Sequence, residues 1–147
     1  MGIATKPMAF VRFNGPLPMA PRLALANRHH FDALAQGRLV TRYCNQCQRY
    51  TFPPADRCQF CLATSTQWRD LPPEGVLYSK TRMNILPEAF HPYSPVSVGI
   101  IDIADDVRLL AWLIDPDVSL DDAIELVTLQ FDDGVLLGAR AGQTAEP

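Results

Sequence analysis

Cys44-Asn45-Gln46-Cys47 and Cys58-Gln59-Phe60-Cys61 are two CxxC pairs separated by ten residues, and they use all four cysteines of the chain. A tetrahedral zinc ion needs four thiolates converging at about 2.3 Å, and a CxxC turn aims two sulfurs at one point. Two such turns make one closed site with no position left for a reacting water. The pattern therefore reads as structural zinc held by Cys44, Cys47, Cys58 and Cys61. Disulfides are the competing use of four cysteines. The stretch Met1-Gly2-Ile3-Ala4-Thr5-Lys6-Pro7 lacks the charged and apolar blocks of a secretory signal, which sets the expectation of a reducing, cytoplasmic setting and favours the metal. Leu39 to Tyr43 and Gln48 to Phe52, on either side of the first pair, read as a small hairpin. Such a ribbon buries little, so metal binding is expected to supply its folding energy.

Beyond the cysteines, Pro72-Pro73 ends the ribbon and the pattern changes to strands joined by short turns. Gly75 to Met83 alternates loosely. Val96 to Ile103 and Val107 to Ile114 flank Ala104-Asp105-Asp106, and Ile124 to Phe131 and Val135 to Arg140 flank Asp132-Asp133-Gly134. These are two hairpin signals. Five short strands with no long helical segment among them predict a small five-stranded barrel, of which the OB-fold is the leading case.

Toward the N-terminus, Pro7, Gly15, Pro16 and Pro18 lie among Met8, Phe10, Val11, Phe13, Leu17 and Met19. Proline biases its predecessor toward extended backbone, so residues 1–20 read as an arm. A free tail is normally polar, and Phe10, Val11 and Phe13 are therefore expected to pack on this domain or on a partner. Pro21 to Gln36 is predicted as the one helix, stopped by Gly37, with Phe31, Leu34 and Ala35 as its apolar stripe. His29 and His30 on that helix read as a surface or interface pair.

The 147 residues, 48% hydrophobic and 20% charged, suit one domain of average size or two very small ones. No apolar run reaches the roughly 18–20 residues of a membrane-spanning helix, so no membrane role is expected. The net charge of −3 conceals a polarity, because residues 1–82 carry +7 and residues 83–147 carry −10. Four thiolates with one Zn²⁺ change the first half to about +5 and leave that polarity in place. Nucleic-acid binding would require a basic groove with stacking aromatics on the barrel. The barrel half is the acidic half, so nucleic acid is not expected as a partner.

With every cysteine assigned to metal, no thiol remains as a nucleophile. The chain also lacks a GxSxG elbow, a Gly-rich phosphate loop and HExxH. His91, between Pro87 and Pro95, reads as part of a rigid recognition or packing element. Asp105-Asp106, Asp121-Asp122 and Asp132-Asp133 read as turn residues rather than acid/base pairs. No catalytic residue is assigned.

Gln36-Gly37-Arg38-Leu39-Val40, Arg42-Tyr43-Cys44-Asn45-Gln46-Cys47, Thr51-Phe52-Pro53-Pro54, Cys58-Gln59-Phe60-Cys61, Gly75-Val76-Leu77-Tyr78-Ser79 and Val107-Arg108-Leu109-Leu110-Ala111 occur in this order. The arrangement resembles the zinc-ribbon/OB-fold proteins associated with acyl-CoA metabolism, over about residues 21–140. Gln48 and Leu62 depart from that pattern, standing where many zinc knuckles carry glycine, and slightly distorted knuckle turns are expected. The resemblance implies a mainly β chain. An arm and docking helix would occupy residues 1–37, a rubredoxin-like zinc ribbon 38–72 and the OB-fold barrel 73–147.

The resemblance further implies a non-catalytic companion of a thiolase-like acyltransferase, a lipid-transfer-type aldolase or a hydratase, and the basic charge with the apolar arm points to docking through about residues 1–70. An alternative is an acyl-CoA-binding module, in which Arg42, Arg49 and Arg57 would meet the phosphates. The arm, lone helix and ribbon have little core of their own, and the expectation is that they finish their burial against another chain.

Overall fold

The computed structural model describes residues 7–103 and 107–142. In chain order the elements are β1 (Ala9–Arg12), α1 (Arg28–Leu34), β2 (Val40–Cys44), β3 (Tyr50–Thr51), β4 (Thr66–Asp70), β5 (Glu74–Met83), a 3₁₀ helix (Glu88–Tyr93), β6 (Val96–Asp102), β7 (Arg108–Leu113), β8 (Ala123–Phe131) and β9 (Gly134–Ala141).

The five strands expected from the C-terminal half all form. β5 pairs with β6 and β8, β6 with β7, and β7 and β8 both with β9, which closes the sheet into a barrel. The period-2 alternation is clear in β7, with Leu109, Ala111 and Leu113 buried and Arg108 and Leu110 exposed, whereas β8, which pairs with β1, is buried on both faces from Leu126 to Leu129. The β8–β9 hairpin turns at Asp132-Asp133, as read from the sequence. Asp133 accepts a hydrogen bond from the Leu17 N–H at 2.7 Å and Asp122 one from the Ser119 N–H at 2.8 Å, so these acids serve the backbone. The turn reading of Asp105-Asp106 lies outside the described residues.

In the ribbon, β2 pairs with β3 as expected and also with β4, a strand the sequence reading left unassigned. Thr66-Gln67-Trp68-Arg69-Asp70 does carry a strand signal, a β-branched and an aromatic residue alternating with polar ones. The arm is extended over β1, which lies parallel to β8 with Ala9 opposite Val127 and Arg12 opposite Gln130. Phe13 then packs within 5.0 Å, centroid to centroid, of Phe131. Val11, Phe13 and Leu17 of the arm are thus packed on its own barrel, whereas Phe10 stays 45% exposed.

The helix is shorter than expected. Asn27 accepts from the Ala24 N–H at 2.8 Å and donates to the Arg22 carbonyl at 3.0 Å, locking residues 22–27 in a turn and delaying α1 to Arg28. Its C-terminal end follows the sequence reading. Gly37 has φ +78°, and the Arg38 N–H reaches the Ala33 carbonyl while the Gly37 N–H reaches that of Leu34, a Schellman closure that glycine makes without strain. The buried stripe is His30, Ala33 and Leu34, whereas Ala35 is exposed.

Burial of the N-terminal half differs from the expectation that a partner chain completes it. Met8, Leu34, Leu39 and Leu71 belong to the same core as Leu77, Ile101, Ile124 and Leu126 of the barrel. The buried Thr128 hydroxyl donates to the Leu34 carbonyl at 2.8 Å, tying α1 to β8. The barrel accepts these side chains on its own surface, a long-range fit that local pattern does not encode.

Candidate functional site

Cys44 ends β2 and Cys47 follows in the next turn, while Cys58 and Cys61 sit in the loop from β3 to β4. The two turns face each other. Cys44 Sγ is 3.6 Å from Cys61 Sγ, Cys47 Sγ is 3.4 Å from Cys58 Sγ, and all four sulfurs lie within 4.8 Å of one another. A tetrahedron with Zn–S bonds near 2.3 Å has edges of about 3.8 Å, so the donor set fits zinc in both chemistry and size.

Without a cation the crowded thiols divide in their protonation. The Cys61 N–H, opposed by burial and aided by the Phe60 N–H, brings the Cys58 thiol down to about 6, whereas burial pushes the Cys47 thiol up to about 12. Crowded sulfurs with such divided preferences are reconciled by a divalent cation, which holds all of them as thiolates. The expected knuckle distortion does not occur. Gln48 (φ +62°) and Leu62 (φ +64°) take up the left-handed backbone that glycine favours, and their N–H groups close on the Cys44 and Cys58 carbonyls at 3.0 Å each.

The ribbon holds its arginines against its own aromatic rings. Arg42 stands 4.4 Å from the Trp68 ring centre, Arg69 3.6 Å from Tyr43 and Arg49 4.1 Å from Phe60. Arg57 donates to the Leu62 carbonyl at 3.1 Å. Of the three arginines read as phosphate ligands, Arg42 and Arg49 are therefore stacked and Arg57 caps a cysteine turn. Stacking keeps each guanidinium flat against the sheet while leaving its charge in place. Trp68, whose ring also meets His29 at 4.8 Å, organises this surface together with the unassigned β4.

His30 is a correction to the reading of a surface pair, because it is buried while His29 is exposed. A carbonyl oxygen only accepts, so His30 Nδ1 carries the proton it donates to Val40 at 2.9 Å, and the ring packs edge-on against Phe31 and Phe52. Burial lowers its pKa below the ordinary 6.5, with the Val40 bond opposing the shift. The unfolded chain then binds a proton more readily than the folded one. The contribution is complete above about pH 6.5 and is lost as pH falls toward the lower folded value. Melting temperature of the zinc-loaded chain is expected to fall between pH 7 and 5.5 with a steeper slope than in His30→Gln. Equal slopes would refute the assignment.

His91 lies in the 3₁₀ helix, exposed, 3.1 Å from the Leu86 carbonyl. That segment is a packing element, since its Tyr93 meets Phe13, Trp112 and Phe131 and its hydroxyl donates to Pro16 at 2.6 Å. Ahead of α1 the chain presents apolar side chains to solvent, with Met19 65%, Leu23 51% and Leu25 96% exposed. Arg22 and Arg28 lie in and just after this stretch. No helix of the described residues is long and apolar enough to cross a membrane.

A cysteine-knuckle ribbon fused through a common core to a closed five-stranded barrel defines the zinc-ribbon/OB-fold class. Residues 31–67 match the model of the rubredoxin-like zinc ribbon domain of ChsH2, and residues 68–129 match that of the ChsH2 C-terminal OB-fold domain. The matches adjoin and together span two thirds of the chain, which belongs to the ChsH2-type zinc-ribbon/OB-fold family. Its four cysteines are positioned for the structural zinc of that ribbon.

Among solved structures the chain is similar to one described as Ltp2-ChsH2(DUF35) aldolase. The TM-score is 0.72 and the identity 25%, over 83% of this chain and 98% of that one. A protein of unknown function from the DUF35 family of Sulfolobus solfataricus shares the fold, with TM-score 0.59 and 18% identity over 80% of this chain and 86% of that one. No curated protein matches in sequence.

Proposed function

We propose that this chain is the partner subunit of a larger enzyme of acyl-CoA metabolism. More finely, it is a non-catalytic accessory subunit that bridges a thiolase-like C-acetyltransferase complex. In length and organisation it looks like the small subunit of the acyltransferase complex that makes diacetylphloroglucinol. The observation that carries the subunit reading is the likeness to the Ltp2-ChsH2 aldolase over nearly all of that chain. Zinc on Cys44, Cys47, Cys58 and Cys61 would hold the ribbon rigid, and the exposed Met19, Leu23 and Leu25 beside Arg22 and Arg28 would form part of the docking face. Burying three such side chains supplies several kcal/mol of association energy, roughly 1.5–3 kcal/mol for each fully covered one.

The same likeness favours a second reading, a partner of a lipid-transfer-type aldolase. Native purification of the tagged chain followed by intact-complex mass measurement decides between them. A hetero-complex with a thiolase-like subunit is the expected result, and one with an aldolase selects the second reading. A monomer of 16.4 kDa that remains alone removes both. Substituting Leu25 by Glu is expected to release the partner without altering the melting temperature of the free chain, since Leu25 is almost fully exposed.

A further inference from the structure

The barrel half contains a cleft that the subunit reading does not use. Its volume is about 400 Å³, within the range of small-molecule sites, and its lining includes Phe13, Arg82, Tyr93, Ser97, Trp112 and Ile114. These residues come from five places in the chain. Arg82 is near the end of β5 and in register with Ser97 at the start of β6, Trp112 lies near the end of β7 with Ile114 just beyond it, Tyr93 ends the 3₁₀ helix, and Phe13 belongs to the arm.

β6 and β7 are the second and third barrel strands, the face on which OB-folds take ligands. Here Phe13 sits on that face, 5.9 Å from both Trp112 and Tyr93, and blocks the path of a long chain. What remains is a short cleft walled by aromatic rings, sized for a small molecule rather than an oligomer.

Charge selects the class of that molecule. The barrel's other cations are already engaged. Arg108 pairs with Asp102 at 2.5 Å, Arg140 with Glu125 at 2.7 Å, and Lys80 donates to the Pro116 and Val118 carbonyls. Among the described residues Arg82 has no ion pair and no hydrogen-bond partner, and it stands at the rim of the aromatic cleft with its donor fork unused. One free guanidinium offers a planar donor fork that matches a carboxylate bidentately.

We propose that this cleft binds a small aromatic carboxylate, with Arg82 pairing to the carboxylate and the adjoining rings of Trp112 and Tyr93 forming the wall against which the ligand ring packs. The cleft shares no lining residue with the zinc ribbon or with the proposed docking face, so it stands or falls without the subunit reading.

The test is titration of the ¹⁵N-labelled, zinc-loaded full chain with trans-cinnamate, followed on the two tryptophan indole N–H resonances, with Trp112→Phe assigning them. The Trp112 signal is expected to move saturably while that of Trp68, in the ribbon, stays in place. Neutral cinnamamide and the Arg82→Gln variant should each bind about tenfold or more weakly, because a charge-assisted pair is lost. Arg82→Lys, which keeps the charge without the fork, should fall between. Arg82 is exposed, and an unchanged amide spectrum of Arg82→Gln certifies its fold. The proposal is overturned by no saturable shift up to about 10 mM cinnamate. Equal affinity for the amide, equal affinity of Arg82→Gln, or a response at Trp68 alone would overturn it as well.

Discussion

Replacing Cys44 by serine is expected to empty the metal site and unfold the ribbon. Cys44 is fully buried at the end of β2, and its sulfur lies 3.6 Å from that of Cys61. A hydroxyl there is a poor zinc ligand, and a structural zinc contributes on the order of 10 kcal/mol in small modules, comparable to the whole stability of a typical domain. Little else holds this region, since β3 has two residues and the other strands of its sheet five each. The measurements are metal content by mass spectrometry and amide hydrogen exchange. Zinc should fall from one ion per chain toward none, and protection over β2, β3 and β4 should collapse. Exchange in β6 and β7 should quicken less, although the melting temperature will drop because Leu39 and Leu71 join the barrel core. A variant that keeps its zinc and its protection would show that the four cysteines do not act as one site.

Leu34→Ala carries the second large effect. The side chain is 1% exposed, in one core with Leu39, Leu71, Leu77 and Leu126, and removing three carbons from such a position costs about 2–5 kcal/mol. For a chain of 147 residues that corresponds to a melting temperature lower by roughly 10 °C. The experiment discriminates between two roles for α1. A helix waiting for a partner to cover it would lose almost nothing in the isolated chain, whereas a helix seated on the barrel loses the full amount. Thermal unfolding of the free, zinc-loaded variant measures which of these holds.

The charge polarity of the sequence acquires a physical shape in the fold. The acidic character of the barrel is partly neutralised from within, because Arg12 of β1 pairs with Asp132 in the β8–β9 turn. Exposed pairs of this kind add little stability, about 0–1 kcal/mol each, so their effect is to set which cations stay unpaired. Arg82 is the barrel cation that stays so among the described residues, and Arg22 and Arg28 flank exposed apolar side chains ahead of α1.

Much of the architecture was legible in local pattern. Two CxxC spacings suffice to imply convergence of four sulfurs, since each turn constrains its own pair. Alternation and turn residues placed all five barrel strands to within a residue or two, because a half-buried strand must repeat every second residue. β4 is equally legible in the alternation of Thr66-Gln67-Trp68-Arg69-Asp70. The helix starts later than its composition predicts because Asn27 spends its side chain on the turn before α1, a choice among local hydrogen bonds that composition does not rank.

The sequence by itself thus determined the zinc ribbon, the five strands of the barrel and the separation of charge. Tertiary structure alone decided that Ala9 lies beside Val127, that Leu34 and His30 are buried while Ala35 is not, and that Arg82 and Trp112 meet in one cleft. The reason is physical. A cysteine pair or an alternating strand is specified by neighbours a few residues away, whereas a parallel pairing across more than a hundred residues is selected only by the shape and burial of the assembled core.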